Sequence, residues 1–305
     1  MARAPKVTWE RIDQMIANGI GSGFGEAYQP IIQIKRWNPS PVSTQIIKPL
    51  APFKRACHFL SQSEYWLGLL FSWVGCEIRE QFPLWPWSHP HPELGRNLST
   101  DRFLKESSGL IEICKQAGIK HGNFPGTNIP YIWSMDFCLY LPWVKDFKRS
   151  CTMVSVKPMS HKAYKNPDPI SRVLEKLEGE RRYCAELGIH YLIGDHQTFQ
   201  RRLFGNLESI QSSALLNQHN PSIITLNRFL DKHGHKINKQ PLSFVREVLV
   251  KDYKCSDEIA ILIRNYLIWH QIIDLDLSAA INEAQLPRPG GRTFKELIKS
   301  NLEGK

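Results

Sequence analysis

Long apolar runs are missing from this chain of 305 residues. No stretch reaches the roughly 18 apolar residues that span a bilayer; the longest, Tyr65 to Val74, is too short. The opening residues, Met1-Ala2-Arg3-Ala4-Pro5-Lys6, lead into no apolar core of the kind a secretory leader needs. A cytoplasmic protein with no membrane partner is expected. Cysteine is sparse: the seven cysteines are odd in number and form no Cys-x-x-Cys, which argues against both a disulfide scaffold and a zinc ribbon. Acidic residues are in the minority, 29 against 39 Lys and Arg. The resulting charge of +10 and isoelectric point near 9.2 favour a polyanionic partner such as nucleic acid. A dinucleotide fingerprint is also missing. Gly19, Gly21, Gly23 and Gly25 alternate, but no strand precedes them and no helix clearly follows, so they read as a loop with positive φ angles.

What is present is enough apolar material, 42% of residues, for a substantial core, and a length that accommodates two domains. Periodicity predicts a short helix over Val7 to Ala17 and an extended segment from Tyr28 to Lys35, then a proline-rich connection from Arg36 to Pro52. Ser61-Gln62-Ser63-Glu64 is a helix start, and the apolar run to Trp73 continues it. Residues Val74 to Pro83 read as a strand entering a Pro/Trp-rich loop. His89 and His91 in that loop stand next to prolines and are expected at the surface. Helices are predicted over Thr100 to Ile119 and Ile170 to Leu187. The second has an apolar stripe of Val173, Leu174, Leu177, Cys184 and Leu187, and Gly188 closes it. Glu175, Lys176, Glu178, Glu180, Arg181 and Arg182 read mostly as its solvated face, and a strand follows from His190 to Asp195.

The centre of the chain is Ser134 to Pro158. Ser134-Met135-Asp136-Phe137-Cys138-Leu139-Tyr140 and Cys151-Thr152-Met153-Val154-Ser155-Val156-Lys157-Pro158 are rich in apolar, aromatic and β-branched residues. The break between them holds Pro142, Lys145, Asp146, Lys148 and Arg149. An antiparallel pair of strands is predicted. Strand alternation puts Ser155 and Lys157 on one face, and an Asp136 turned to that face would bring a carboxylate, a hydroxyl and an ammonium together. Hard divalent cations take oxygen ligands, which would give such an Asp a reason to be there.

The order Glu64 … Asp136 … Ser155-Val156-Lys157 loosely matches the nuclease pattern written PD-(D/E)XK. In such a site a divalent cation held by carboxylates polarises the scissile phosphate and activates a water, and the lysine orients that water or offsets developing charge. Further blocks accompany it in order: the glycine alternation with Tyr28 and Pro30, Ile78-Arg79-Glu80-Gln81-Phe82-Pro83-Leu84, Gly118-Ile119-Lys120-His121, and Leu174-Glu175-Lys176-Leu177-Glu178-Gly179-Glu180-Arg181-Arg182-Tyr183. Together they closely resemble TnsA, the endonuclease subunit of heteromeric bacterial transposases, over roughly residues 10 to 199.

The resemblance implies a restriction-endonuclease-like α/β fold, a mixed sheet flanked by helices, for residues 1–199. It implies a catalytic set of Glu64, Asp136 and Lys157, with Mg²⁺ (or Mn²⁺ in its place) held by Glu64, Asp136, the Val156 carbonyl and Ser155. Ser155 stands where the family member compared has Gln, a shorter group that would reach a metal less directly. Glu77 is the nearest candidate for a further acidic ligand. The implied role is cleavage of the 5′ strands in double-stranded DNA at transposon ends. A TnsB-like DDE transposase would cut the 3′ strands, and a TnsC-like AAA+ ATPase would be the regulatory partner. Ser155 also admits an alternative, a DNA-binding or scaffold subunit of the same assembly with impaired cleavage. A nuclease sharing only the fold is a third reading.

Residues 200–305 change character. Helices are predicted over Ile223 to His233, Leu242 to Tyr253 and Ser256 to Trp269, and the alternation from Ile272 to Leu277 predicts a strand. Three helices and a strand suggest a helix-turn-helix or winged-helix module; the TnsA resemblance implies a winged-helix-like part that engages the ATPase. Arg246, Lys251, Lys254 and Arg264 are either phosphate contacts or an ordinary solvated face. Pro287 to Arg292 is expected to be a flexible break before a charged tail.

Overall fold

The computed structural model describes residues 7–35, 44–157, 167–216 and 221–305. Met1 to Lys6, residues 36–43 of the proline-rich connection and Pro158 lie outside the described residues. The architecture is α/β. Strands β3 (Glu77–Leu84), β4 (Trp133–Tyr140), β5 (Cys151–Val156) and β6 (His190–Gly194) form one sheet in that order. The β3–β4 and β4–β5 pairs are antiparallel and β5–β6 is parallel. A separate hairpin joins β1 (Ile46–Pro49) to β2 (Ala56–Phe59). Among the described residues no helix is long and apolar enough to cross a membrane.

Helices cover the sheet. Helix α1 (Trp9–Ala17) precedes the glycine loop, in which Gly19, Gly21, Gly23 and Gly25 all take positive φ. Helix α2 (Gln62–Val74) starts where Ser61 accepts a bond from the Glu64 amide and ends at left-handed Gly75. It is buried on nearly every side because it lies between the sheet and the C-terminal helices. Helix α5 (Pro167–Leu187) packs on the opposite face of the sheet, where Tyr183, Cys184 and Leu187 meet Met135, Cys138 and Met153.

Three expected elements take a different form. The helix predicted from Thr100 to Ile119 is instead two short ones, α3 (Leu98–Asp101) and α4 (Leu110–Gln116). Gly109 separates them, with φ +89° and its α-carbon so close to Trp87 that an added Cβ would sit 2.3 Å from the Trp87 carbonyl carbon. Tyr28 to Lys35 is not a strand. Pro30 has no amide to donate, and the segment is tied to β3 by single bonds, Ile31 N to the Gln81 carbonyl at 3.2 Å and Tyr28 OH to the Glu80 carbonyl at 2.9 Å. The 272–277 alternation is real in burial, with Ile273, Leu275 and Leu277 inside, but the segment is not a strand, and among the described residues no strand pairs with it. Its amides are satisfied elsewhere: Asp274 N donates to Asn238 Oδ1 at 2.7 Å and Asp276 N to the Arg288 carbonyl at 2.8 Å.

Residues 200–305 are therefore helical among the described residues: α6 (Arg201–Ile210), α7 (Pro221–His233), α8 (Ser243–Lys251), α9 (Asp257–Trp269) and α10 (Gly291–Leu302). Their apolar side chains join those of α2 and β3–β5 in one continuous cluster. The segment after Pro287 is held rather than loose. Arg292 donates to the Gln271 and Ile272 carbonyls, Phe294 stacks on Trp73, and Thr152 of β5 donates to the Leu302 carbonyl at 2.6 Å. Arg246 and Arg264 form ion pairs with Asp257 and Glu283. Leu174 is 56% exposed and leaves the predicted stripe.

Candidate active site

Two irregularities in the sheet coincide at Asp136. The β3–β4 ladder pairs Glu80 with Phe137 and Phe82 with Met135 but skips Gln81, opposite Asp136. Gln81 has φ +47°, a strained value for a residue with a side chain. The sheet changes face there. Ile78 and Phe137 belong to the core under α2, whereas Phe82 and Met135 belong to the core under α5. On its other side β4 parts from β5 beyond the Phe137–Val154 pair, while β5 stays with β6 as far as Val156–Gly194. The Val156 amide, released from the β4 ladder, donates to Asp136 Oδ2 at 2.6 Å.

Three predicted residues converge on this fork from three elements. Lys157 Nζ lies 3.4 Å from Asp136 Oδ2 and donates to the Val156 carbonyl at 3.0 Å. Burial pushes the Lys157 ammonium towards neutrality, but Asp136, with Glu180 and Glu64, more than offsets this and raises its pKa. Glu64, in the first turn of α2, is buried. It accepts from the Leu60 amide at 2.8 Å, Ser61 Oγ at 2.9 Å and Gln81 Nε2 at 2.9 Å. Burial, and then the charge of Asp136, raises its pKa to about 7 despite these donors. Asp136 and Lys157 are partly exposed, so the fork opens to the surface.

Ser155 is placed differently from a free ligand. Its hydroxyl donates to Glu180 Oε2 at 2.5 Å, and Tyr191 OH reaches both Ser155 Oγ and Glu180 Oε2 at 3.1 Å. Glu180, expected on the solvated face of α5, is 1% exposed, and burial raises its pKa. Lys176 is its ion-pair partner at 3.5 Å. Glu180 continues the stripe of Val173, Leu177, Cys184 and Leu187 at helical spacing, so the sequence held a signal for its burial. Gln81 had no such signal, because its role depends on the break in the ladder.

Glu77 is not part of the fork. It sits at the far end of β3, bound by both Arg96 guanidinium nitrogens at 2.8 Å and by the Gly25 amide at 3.0 Å. Its neighbour Glu80 is occupied by Arg55 through two bonds of 2.8 and 2.7 Å. His91 is buried rather than at the surface, and His89 bonds the Trp87 carbonyl and Tyr183 OH. A second group of metal-ligand types, Glu93, Cys138 and Cys151, is already filled by Arg79, which donates to Glu93 and to Cys138 Sγ.

The donor set at the fork suits a hard divalent cation. Two carboxylates close enough to raise one pKa face a carbonyl, and Gln81 Oε1 is buried without a hydrogen-bond partner. All are oxygen donors. Glu64, Asp136 and the Val156 carbonyl are the groups that would hold the ion. No family model matches the chain, and a search of curated proteins finds no match to it either.

Proposed function

We propose that the chain is a TnsA-like, Mg²⁺-dependent DNA endonuclease that cleaves the 5′ strands at transposon ends. It would work beside a TnsB-like DDE transposase under a TnsC-like AAA+ ATPase. The observation that carries this reading is the meeting of Glu64, Asp136 and Lys157 at one surface fork, from α2, β4 and β5. The mixed sheet between helices suits a restriction-endonuclease-like fold, and the net charge of +10 suits a polyanionic substrate.

A bound divalent cation supplies Lewis-acid polarisation of the phosphate and a more acidic water. Glu64 and Asp136 hold the charge that attracts it. Lys157, kept protonated by Asp136, can orient the attacking water or neutralise charge building on the phosphate oxygens. Glu180 acts through the Ser155 hydroxyl on the strand that carries Lys157, as a positioning residue. Gln81 fixes the Glu64 carboxylate at the end of α2.

The test is strand cleavage of transposon-end DNA by the full chain with its DDE transposase partner and Mg²⁺. Lys157→Ala should abolish 5′-strand nicking and leave 3′-strand cutting in place. Unchanged 5′ nicking in Lys157→Ala would remove the catalytic assignment.

A further inference from the structure

Beside the fork lies a groove of about 430 Å³ lined by Tyr131, Trp133, Arg172, Val173 and Lys176. Trp133 forms its floor. It is buried, stacks flat on His121 at 5.7 Å and 9°, and lies so close to α5 that a Cβ on Gly179 would come within 2.9 Å of its ring. Tyr131 stands at the rim, 43% exposed, braced by Phe124 at 4.8 Å and by its amide bond to the Gly122 carbonyl. Arg172 and Lys176 supply positive charge on the other wall. Arg172 bonds the Lys120 carbonyl at 3.0 Å and Glu175 at 2.8 Å, which holds the guanidinium in place.

The groove is connected to the fork by a short chain of contacts. Lys176 pairs with Glu180, Glu180 accepts from Ser155, and Ser155 lies two residues before Lys157 on β5. A ligand in the groove would therefore bear on the strand that leads to Lys157. An exposed aromatic side chain and two cations lining one groove match one ligand chemistry closely: a base that stacks, carried on a phosphodiester that the cations attract. A paired base inside a duplex has both faces covered and cannot use Tyr131.

We infer that this groove seats an unpaired nucleotide of the DNA strand flanking the scissile phosphate, with its base on Tyr131 and its phosphate between Arg172 and Lys176. This rests on the nuclease reading for the identity of the strand, but not for the existence of the site. The substrate is then a duplex that is locally opened beside the cut.

The experiment uses the full chain with Ca²⁺ in place of Mg²⁺, and a duplex carrying a short single-stranded overhang with 2-aminopurine. Binding should quench the fluorophore at one or two overhang positions and favour the overhang over a blunt duplex. Tyr131→Ala should lose the quenching and weaken overhang binding about tenfold, with blunt-duplex binding unchanged, whereas Tyr131→Phe should keep both. Arg172→Ala should weaken overhang binding more than blunt-duplex binding. Lys157→Ala should keep the quenching, so a failure of cleavage and a failure of the groove are separable. Equal binding of overhang and blunt DNA, or quenching that survives Tyr131→Ala, would overturn the proposal. Equal binding is also the result expected if a protein segment occupies the groove.

Discussion

The Val156 amide donates to Asp136 Oδ2 at 2.6 Å, at the point where β4 and β5 cease to pair. A side-chain carboxylate thus takes the place of a backbone carbonyl in the ladder. That exchange leaves a fork open at the sheet's surface and fixes Asp136 within it. Lys157, the residue just after β5, stays in register through its own amide bond to the Gly194 carbonyl at 2.9 Å. The strand that leaves β4 carries the ammonium, and the strand it leaves carries the carboxylate.

Asp136→Ala should lower Mg²⁺-dependent strand cleavage about 100-fold or more, because loss of a metal ligand forfeits several kcal/mol of charge stabilisation. The check is single-turnover cleavage alongside circular dichroism. Native-like spectra with cleavage near the wild-type rate would contradict the ligand role.

Glu64 gives a pH dependence. Its folded pKa of about 7 lies above the ordinary 4.5, so the folded, cation-free protein holds this proton more tightly than the unfolded chain does. Stability from this group is therefore present at low pH and falls as pH rises between those two values. A divalent cation requires the ionised form, so its binding competes with the proton. Calorimetric affinity for Mg²⁺ or Mn²⁺ should rise with pH up to about 7 and then level off, and Glu64→Gln should flatten the profile. A flat profile in the unmodified protein would contradict this.

Glu180→Ala leaves the Ser155 and Tyr191 hydroxyls without their shared acceptor. Turnover should fall about 10- to 100-fold, as for other outer partners of a metal site, with KM for DNA little changed. Glu180→Gln, which keeps an acceptor, should recover part of the loss. Turnover within about twofold of wild type in Glu180→Ala would remove the positioning role.

Glu93→Ala tests a structural pair away from the fork. Arg79 is 1% exposed, and Glu93 is its carboxylate partner. Leaving that guanidinium buried without the carboxylate should cost about 3–5 kcal/mol in denaturant unfolding. A loss below about 1 kcal/mol would show that the Pro92 carbonyl and Cys138 suffice for Arg79.

Much of this arrangement was legible in local sequence. The paired strands around Asp136 and Lys157, the Ser61 cap before Glu64 and the αL close at Gly188 all rest on short-range patterns. What was not legible depends on distant neighbours. The 272–277 segment has the alternation of a strand, but whether a partner strand lies beside it is decided by tertiary packing. Gln81 becomes a site residue only because the ladder breaks opposite Asp136. The order of α10 depends on Trp73 and Thr152, far away in the chain. Glu180 is the instructive case: its helical spacing placed it on the buried stripe, and its charge suggested the opposite.

The most direct measurement is a crystal of the full chain soaked in Mn²⁺, read by anomalous scattering. An ion bound by the carboxylates of Glu64 and Asp136 and by the Val156 carbonyl is the expected result. A fork without an ion at saturating Mn²⁺, or an ion bound only elsewhere, would contradict the metal-dependent nuclease.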